Sequence, residues 1–185
     1  MYGTVMLAHA GCAAIYAALS ALILVRSRLS ITGWLLAGAS AMTAAWAASV
    51  ALTSQDPLGG LAGAMDLLRA VAWYVFILHL YRRTVPERGH MVQAFAMMGF
   101  VGLLVIGVTV LVERPAPGGG ISLWSAGTAA RLGLAVCNIL LIENLYQNVP
   151  DEAKWYINLP CIALGGLFVF DIVLSADAVL FRQAS

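Results

Sequence analysis

Six long apolar stretches, separated by short loops that carry most of the charge, constrain this sequence more than any other feature. Each is close to the ~20 residues that an α-helix needs to cross ~30 Å of hydrocarbon. Charged residues make up 10% of the chain and hydrophobic residues 62%, whereas soluble domains average about 25% charged residues. The sequence therefore predicts an all-α, polytopic membrane protein, with one six-transmembrane-helix bundle over residues 1–185. The predicted spans are Thr4–Val25, Ile31–Thr53, Leu61–Tyr81, Met91–Val112, Ile121–Ile142 and Trp155–Phe181.

The distribution of lysine and arginine predicts the orientation, because cytoplasmic loops are enriched in these residues. When the loops are assigned alternately to the two sides, Arg114 and Arg182 fall on one side. The other side receives Arg26, Arg28, Arg82, Arg83, Arg88 and Lys154. We therefore expect this second set to be cytoplasmic, which places the N-terminus and, after six crossings, the C-terminus on the outer, periplasmic side.

Composition and motifs exclude several functions. A net charge of +1 provides no field that would favour nucleic acid as a partner. The cysteines Cys12, Cys137 and Cys161 fall inside predicted spans and form no CxxC, which predicts neither a metal site nor a disulfide framework. No nucleophile–base constellation or nucleotide-binding fingerprint occurs, so we expect no catalytic residue and no cofactor in this chain.

Ionisable residues inside the spans are the main candidates for function, since burying one in a membrane costs at least ~2.5–3.5 kcal/mol. From the orientation and the helical rise, most of them lie in the outer two-thirds of the membrane. The candidate ligand-binding or sensing residues are His9, Asp66, Arg69, Arg131, Asp171 and Asp177.

Two ion pairs are expected among these residues. Asp66 and Arg69 are spaced i, i+3 and share a helical face, while Arg131 matches Asp171 in estimated depth. Three interpretations remain open: the pairs only neutralise charge and fix helix packing, they line a polar cavity for a ligand or proton, or they form a proton or ion pathway. Asp177, which has no obvious partner in the sequence, is the preferred candidate for a residue lining such a cavity.

Other polar and aromatic residues support more limited predictions. Glu143 and Asn144 lie at the inner end of the fifth span and are candidates for signal relay. Pro160, with Gly165 and Gly166, predicts a kink or flexible point in the sixth span, and these three residues are further candidates for signal relay. Most tryptophans and tyrosines lie near span ends, which is typical of an interfacial aromatic belt; this set is Trp46, Trp73, Tyr81, Trp124, Tyr146, Trp155 and Tyr156.

Residues 143–182 resemble a known family. The motifs are Glu143-Asn144-Leu145-Tyr146-Gln147-Asn148 with Pro150, Ala153 and Trp155, then Leu164-Gly165-Gly166-Leu167-Phe168, Asp171 and Ala176-Asp177-Ala178-Val179-Leu180-Phe181-Arg182. Weaker similarity includes Arg69-Ala70-Val71-Ala72-Trp73 and Ala130-Arg131-Leu132. Together these motifs resemble the N-terminal membrane region of the PEP-CTERM/exosortase-system sensor histidine kinases, the PrsK family.

The resemblance implies a sensory input module, in the bacterial inner (cytoplasmic) membrane, of a two-component system that regulates exopolysaccharide and PEP-CTERM protein genes. It implies further membrane helices and a cytoplasmic kinase core that uses ATP and Mg²⁺. The implied partner is a response regulator, and the resemblance is also compatible with a homodimer. The phosphoacceptor helix and ATP-binding boxes are absent from residues 1–185. We therefore expect a fragment or a stand-alone sensor module, without kinase activity of its own.

Two other functions compete with this interpretation. A small transporter or channel could use the intramembrane aspartates and arginines to move a substrate or protons. Transporters often carry paired broken helices in corresponding halves, whereas only the sixth span is clearly interrupted here. A structural or assembly subunit is the third possibility, in which the charges only organise packing.

Overall fold

The computed structural model describes residues 2–26, 30–53, 60–84, 89–112 and 122–181. Within these ranges every residue except Ser30, Val149 and Pro150 is helical, and no strand occurs. The all-helical class predicted from the sequence is therefore confirmed. The helices are α1 (Tyr2–Arg26), α2 (Ile31–Thr53), α3 (Gly60–Thr84), α4 (Gly89–Val112), α5 (Ser122–Asn148) and α6 (Asp151–Phe181).

Local chemistry explains two of the helix starts. The Ser30 hydroxyl accepts a hydrogen bond from the backbone N–H of Gly33 at 3.1 Å, so Ser30 caps the N-terminus of α2. At α6, the backbone N–H of Lys154 bonds the Pro150 carbonyl, and Asp151 lies in the first turn where a negative charge is favourable. Helix α5 thus ends and α6 begins on either side of Val149 and Pro150.

Over the residues that the structure describes, four helices are long and apolar enough to cross a membrane, and a bundle of six spans stays a prediction. Their candidate segments are Met6–Arg26, Ile31–Leu52, Leu61–Thr84 and Lys154–Asp177. Among the described residues, α4 contributes a shorter apolar segment, Gln93–Leu104. These segments are compatible with a multi-pass membrane protein.

The first compact unit, Met1–Phe76, contains α1, α2 and most of α3. Helix α1 packs against α2, and the buried hydroxyl of Ser20 donates a hydrogen bond to the Ala37 carbonyl at 2.9 Å. Most other α1 side chains are exposed. Small residues on both helices let the two backbones approach closely. In lipid, the van der Waals contacts made at such an approach drive helix association, because the hydrophobic effect does not act between helices there.

The second unit, Ile77–Ser185, contains the end of α3 and helices α4 to α6. Helix α5 packs against both α4 and α6. The fully buried Tyr81 hydroxyl donates to Oδ1 of Asn144 at 3.2 Å, which links the end of α3 to α5. Helix α6 continues through Pro160 to Phe181, so the predicted flexible point introduces no gap in the helix.

Candidate functional site

One face of α3 places two charged residues in the interior of the first unit. Asp66, Arg69, Trp73 and Phe76 follow a spacing of three and four residues, which aligns side chains along one face of an α-helix. All four are buried, with exposed fractions of 6% for Asp66 and 2% for Arg69. The sequence therefore puts an acid and a base on the packing face of an apolar helix.

Asp66 and Arg69 form the intrahelical ion pair that their spacing predicts. Nη2 of Arg69 donates a hydrogen bond to Oδ1 of Asp66 at 2.6 Å. Neither charge is exposed to solvent, because the side chains are 3% and 8% exposed for Arg69 and Asp66 respectively. The pair is neutral as a whole, which removes much of the cost of placing either charge in an apolar environment.

Trp46 of α2 connects this ion pair to α1. Cζ of Arg69 lies 4.5 Å from the centroid of a Trp46 ring, within the range of a cation–π interaction. The His9 ring meets Trp46 edge to face, with centroids 5.8 Å apart and planes at 65°. Three helices thus contribute to one arrangement, which we name the α1–α3 cluster: His9, Trp46, Asp66 and Arg69.

A second polar contact joins α2 to α3 beside the cluster. Nε1 of Trp73 donates to Oγ1 of Thr43 at 2.9 Å, and that hydroxyl donates to the Ala39 carbonyl at 2.9 Å. Thr43 and Trp73 are both buried. The bond satisfies an indole N–H that would otherwise be costly to bury.

The aromatic-belt prediction is wrong for three of its residues. Trp46, Trp73 and Tyr81 are 3%, 4% and 0% exposed and pack within the protein. Their position along a helix suggested an interface, but the helical face on which they lie determines their environment. By contrast, Trp155 and Tyr156 are exposed and stack edge to face. Tyr146 is also exposed, while the side chain of Trp124 lies outside the described part.

Sequence reasoning missed Trp46, Thr43 and Trp73 as neighbours of the charged residues. Helical spacing could have found them. Trp73 follows Arg69 by four residues, and Thr43 precedes Trp46 by three, so each shares a packing face with its neighbour. Applied to both helices, this spacing indicates one interior patch that contains aromatic, hydroxyl and charged groups.

Three of the six predicted sensing residues belong to the α1–α3 cluster. The others, Arg131, Asp171 and Asp177, lie in the second unit. Arg131 and Asp171 are half-buried, and Asp177 is exposed near the end of α6. The pairing of Arg131 with Asp171, like the lining role of Asp177, stays a prediction.

The packed faces of α5 and α6 carry their own polar groups. Thr128 and Asn138 are buried on α5, on the same face as Arg131. On α6, Ser175 is buried and follows Asp171 by one turn. Asn138 donates from Nδ2 to the Leu134 carbonyl at 3.1 Å, and its Oδ1 has no hydrogen-bond partner among the described residues. Helices α5 and α6 thus each carry buried polar side chains.

The predicted relay residues have local partners. Asn144 accepts hydrogen bonds from Tyr81 and from Nδ2 of Asn148, the latter at 2.9 Å. Glu143 is exposed and accepts one from Gln147 at 3.0 Å. Open space surrounds the positions that a Cβ would occupy at Gly165 and Gly166. A kink or relay role at Pro160 and these glycines stays a prediction.

The start of α6 carries an exposed ion pair that contrasts with the buried one. Nζ of Lys154 lies 2.6 Å from Oδ1 of Asp151, again at spacing i, i+3. The hydrogen bond from Lys154, together with its charge, holds the pKa of the Asp151 carboxyl below its ordinary value. Since Asp151 is fully open to solvent, this pair is a surface feature rather than a candidate site.

An apolar groove also runs between α4 and α5. Its volume is about 490 Å³ and it is open on one side. The groove contains no charged side chain in its lining, so it offers a ligand apolar contact only. It is lined by Met97, Met98, Val101, Gly102, Gly133, Leu134 and Cys137.

The α1–α3 cluster holds a paired charge, an aromatic ring and an imidazole, which are groups that can bind a polar or charged ligand. Among the described residues, no three His, Cys, Asp or Glu side chains come together as a metal site requires. Cys12, Cys137 and Cys161 are free and half-buried.

Comparison of the chain with protein-family models, with curated proteins and with solved structures found no match.

Proposed function

We propose that this chain is the membrane-embedded sensory input module of a two-component histidine kinase system, with the α1–α3 cluster as its input site. The observation that carries the proposal is a buried ion pair on α3, bound through Trp46 of α2 to His9 of α1. Ionisable residues inside a membrane are expensive and are usually retained for function. The resemblance of residues 143–182 to the PEP-CTERM/exosortase-system sensor kinases supports the same function.

The proposed architecture is a six-helix bundle in the bacterial inner membrane, with both termini periplasmic. The loops between the helices are too short to form a separate ligand-binding domain, so the helices themselves receive the signal. Arg131, Asp171 and Asp177 form a second polar set in this proposal, and α6 carries two of these residues. ATP, Mg²⁺ and the response regulator act through a cytoplasmic kinase domain outside residues 1–185.

The output of the native system tests this proposal. Arg69→Gln is introduced at the chromosomal gene, and transcription of exopolysaccharide and PEP-CTERM protein genes is measured by RNA sequencing. We expect transcription to change relative to wild type at equal membrane abundance of the protein. Lys154→Gln is the matched control, because it neutralises an exposed cation that also has an i−3 aspartate partner. Unchanged transcription in the abundant Arg69 variant would refute the sensory function.

Buried polar side chains on α5 and α6 favour a second candidate, a small transporter or channel. They include Thr128, Asn138 and Ser175, and polar groups inside apolar helices can line a path for protons or ions. The chain is reconstituted in liposomes that contain a pH-sensitive dye, and a potassium diffusion potential is applied. Proton flux that depends on Arg131 or Asp171 would support transport, and its absence would support the sensory module.

A further inference from the structure

We propose that the apolar groove between α4 and α5 binds one acyl chain of a membrane phospholipid. This α4–α5 groove lies within the second unit, has a volume of about 490 Å³ and is open on one side. The inference does not depend on the sensory function and rests only on the proposed placement of α4 and α5 in the membrane. It assigns a ligand to a surface that the α1–α3 cluster does not use.

Helical spacing brings the lining residues of the groove together. On α5, Gly133 and Leu134 precede Cys137 by four and three residues, so these residues share one face. On α4, Met98 and Gly102 are also four residues apart. A Cβ at Gly102 would lie 3.9 Å from Cδ1 of Leu134, so the two helices approach closely there. A Cβ at Gly133 would meet no atom of the described residues within 4 Å, so the space on that side of α5 is open.

The lining is suited to a hydrocarbon rather than to a polar ligand. Its described side chains are apolar, apart from the thiol of Cys137, which is a weak hydrogen-bond donor. A polar group placed against such a surface would lose its hydrogen bonds to water without replacement. Met97 and Met98 have unbranched, flexible side chains that adapt to an irregular apolar surface. The chemistry of the lining therefore selects a flexible apolar chain.

The surroundings of the groove supply such a chain. Met97, Met98 and Val101 are 69%, 47% and 58% exposed, and they belong to the apolar segment Gln93–Leu104 of α4. In the proposed bundle this segment lies in the hydrocarbon core, where no water is available to fill a groove. An empty groove loses the dispersion contacts of its lining atoms, and an acyl chain lying in the groove restores them.

The size of the groove argues against a helix of another protein or of a second copy as its occupant. A helix with its side chains is about 10–12 Å wide, so 490 Å³ accommodates only about one helical turn. Seven described residues line the groove, whereas a stable protein interface uses about 20–30 residues on each side. A linear chain of methylene groups is much thinner than a helix and fits this space.

Photolabelling in lipid nanodiscs tests the proposal with the native cysteines of the full chain. The bilayer contains phosphatidylcholine with a diazirine in the middle of one acyl chain, and labelled residues are quantified by mass spectrometry after irradiation. Cys137 lines the groove, whereas Cys161 is also half-buried but lies on α6, outside the lining. We expect severalfold more label on Cys137 than on Cys161. Equal or weaker labelling of Cys137 would overturn the proposal, because lipid that merely surrounds the helices contacts both residues.

Gly133→Leu tests whether the label reaches Cys137 through the groove. The added side chain enters the open space beside α5 and fills it, so labelling of Cys137 should fall by about tenfold while that of Cys161 stays constant. Gly11→Leu is the matched control and should change neither, because Gly11 of α1 is an exposed glycine with equally open space at its Cβ position.

Undiminished labelling of Cys137 in a folded Gly133→Leu variant would refute the groove as the binding site. Gly133→Ala adds the shortest side chain and should cause a smaller fall, so it replaces the leucine variant if that variant does not fold. The ratio of the two cysteines in the unsubstituted chain decides the matter if neither variant folds.

The chemical form of the probe identifies the ligand. The same diazirine chain on phosphatidylethanolamine or phosphatidylglycerol should label Cys137 as strongly as it does on phosphatidylcholine, because the described lining carries no charge. Labelling that depends on the headgroup, or that occurs only with the free fatty acid, would overturn the assignment to a phospholipid chain. Label on Cys161 without Cys137 would refute the groove and leave the membrane placement intact, whereas label on neither would contradict both.

Discussion

The interaction of Arg69 with Trp46 should be measurable as a coupling between α2 and α3. The perturbation is Trp46→Leu, made once in the native chain and once in a background that carries Asp66→Asn together with Arg69→Gln. That background removes both charges of the pair, so no isolated buried charge complicates the comparison. The difference between the two costs of Trp46→Leu isolates the effect of the charge on the ring.

The burial of the two side chains and their separation give the expected size of this coupling energy. Arg69 and Trp46 are 2% and 3% exposed, and the separation of 4.5 Å lies inside the ~6 Å range of a cation–π interaction. A desolvated cation–π contact contributes about 2 kcal/mol or more. Asp66, at 2.6 Å from the guanidinium, neutralises part of the positive field at the ring. We therefore expect a coupling of about 1–2 kcal/mol.

The assay is reversible unfolding in dodecylmaltoside micelles titrated with sodium dodecyl sulfate, followed by near-ultraviolet circular dichroism. Trp46→Leu should lower the free energy of unfolding by about 1–2 kcal/mol more in the native chain than in the doubly substituted background. Trp34→Leu is the matched control, because Trp34 lies on the same helix and is 56% exposed. Its cost should be equal in both backgrounds. A coupling below about 0.5 kcal/mol for Trp46 would refute the cation–π account of the cluster.

Three further predictions concern two hydrogen bonds and the membrane topology. Thr43→Val leaves the buried indole N–H of Trp73 without its acceptor and should cost about 1–3 kcal/mol of stability in the same assay, whereas Thr43→Ser should cost less. Tyr81→Phe removes the hydrogen bond that the Tyr81 hydroxyl donates to Oδ1 of Asn144, while the bond from Asn148 to the same oxygen stays. Its cost should be about 0.5–1.5 kcal/mol, and a neutral result would contradict that bond. Single cysteines at positions 57 and 117 should react with a membrane-impermeant thiol reagent from the periplasm, while those at 86 and 150 should not, and the opposite pattern would invert the proposed topology.

Apolar patterning predicted where the helices lie but not where they end. The third span was expected over Leu61–Tyr81, whereas α3 continues to Thr84. Similarly, the fifth span was expected to end at Ile142, and α5 continues to Asn148. The length of an apolar run reflects the thickness of the hydrocarbon core. The helix itself can extend beyond that core, because its backbone hydrogen bonds do not depend on apolar side chains. For α5 the end comes just before Pro150, which has no backbone N–H to donate and disfavours the helical conformation of the residue before it, Val149.

The sequence predicted the part of the candidate site that lies on a single helix, but not the contacts between helices. The spacing of Asp66 and Arg69 predicted their pairing, because i, i+3 geometry follows from the helix alone. The contacts of His9 and Trp46 depend on how α1, α2 and α3 pack, and no local pattern determines the rotation of one helix against another. Arg131 and Asp171 show the same limit, since matched depth places two residues at one level without placing them on facing sides.

The location of the ion pair on a single helix bears on whether these charges only fix packing. Asp66 and Arg69 both belong to α3, so the hydrogen bond between them would persist if α3 separated from its neighbours as an intact helix. That hydrogen bond does not itself join two helices. Among the contacts that do are the Trp73–Thr43 hydrogen bond between α3 and α2, and the Trp46 ring of α2, which contacts both Arg69 and His9. A contact made through a shared ring responds to the charge of either neighbour, and this property favours a sensing role for the cluster over a purely structural one.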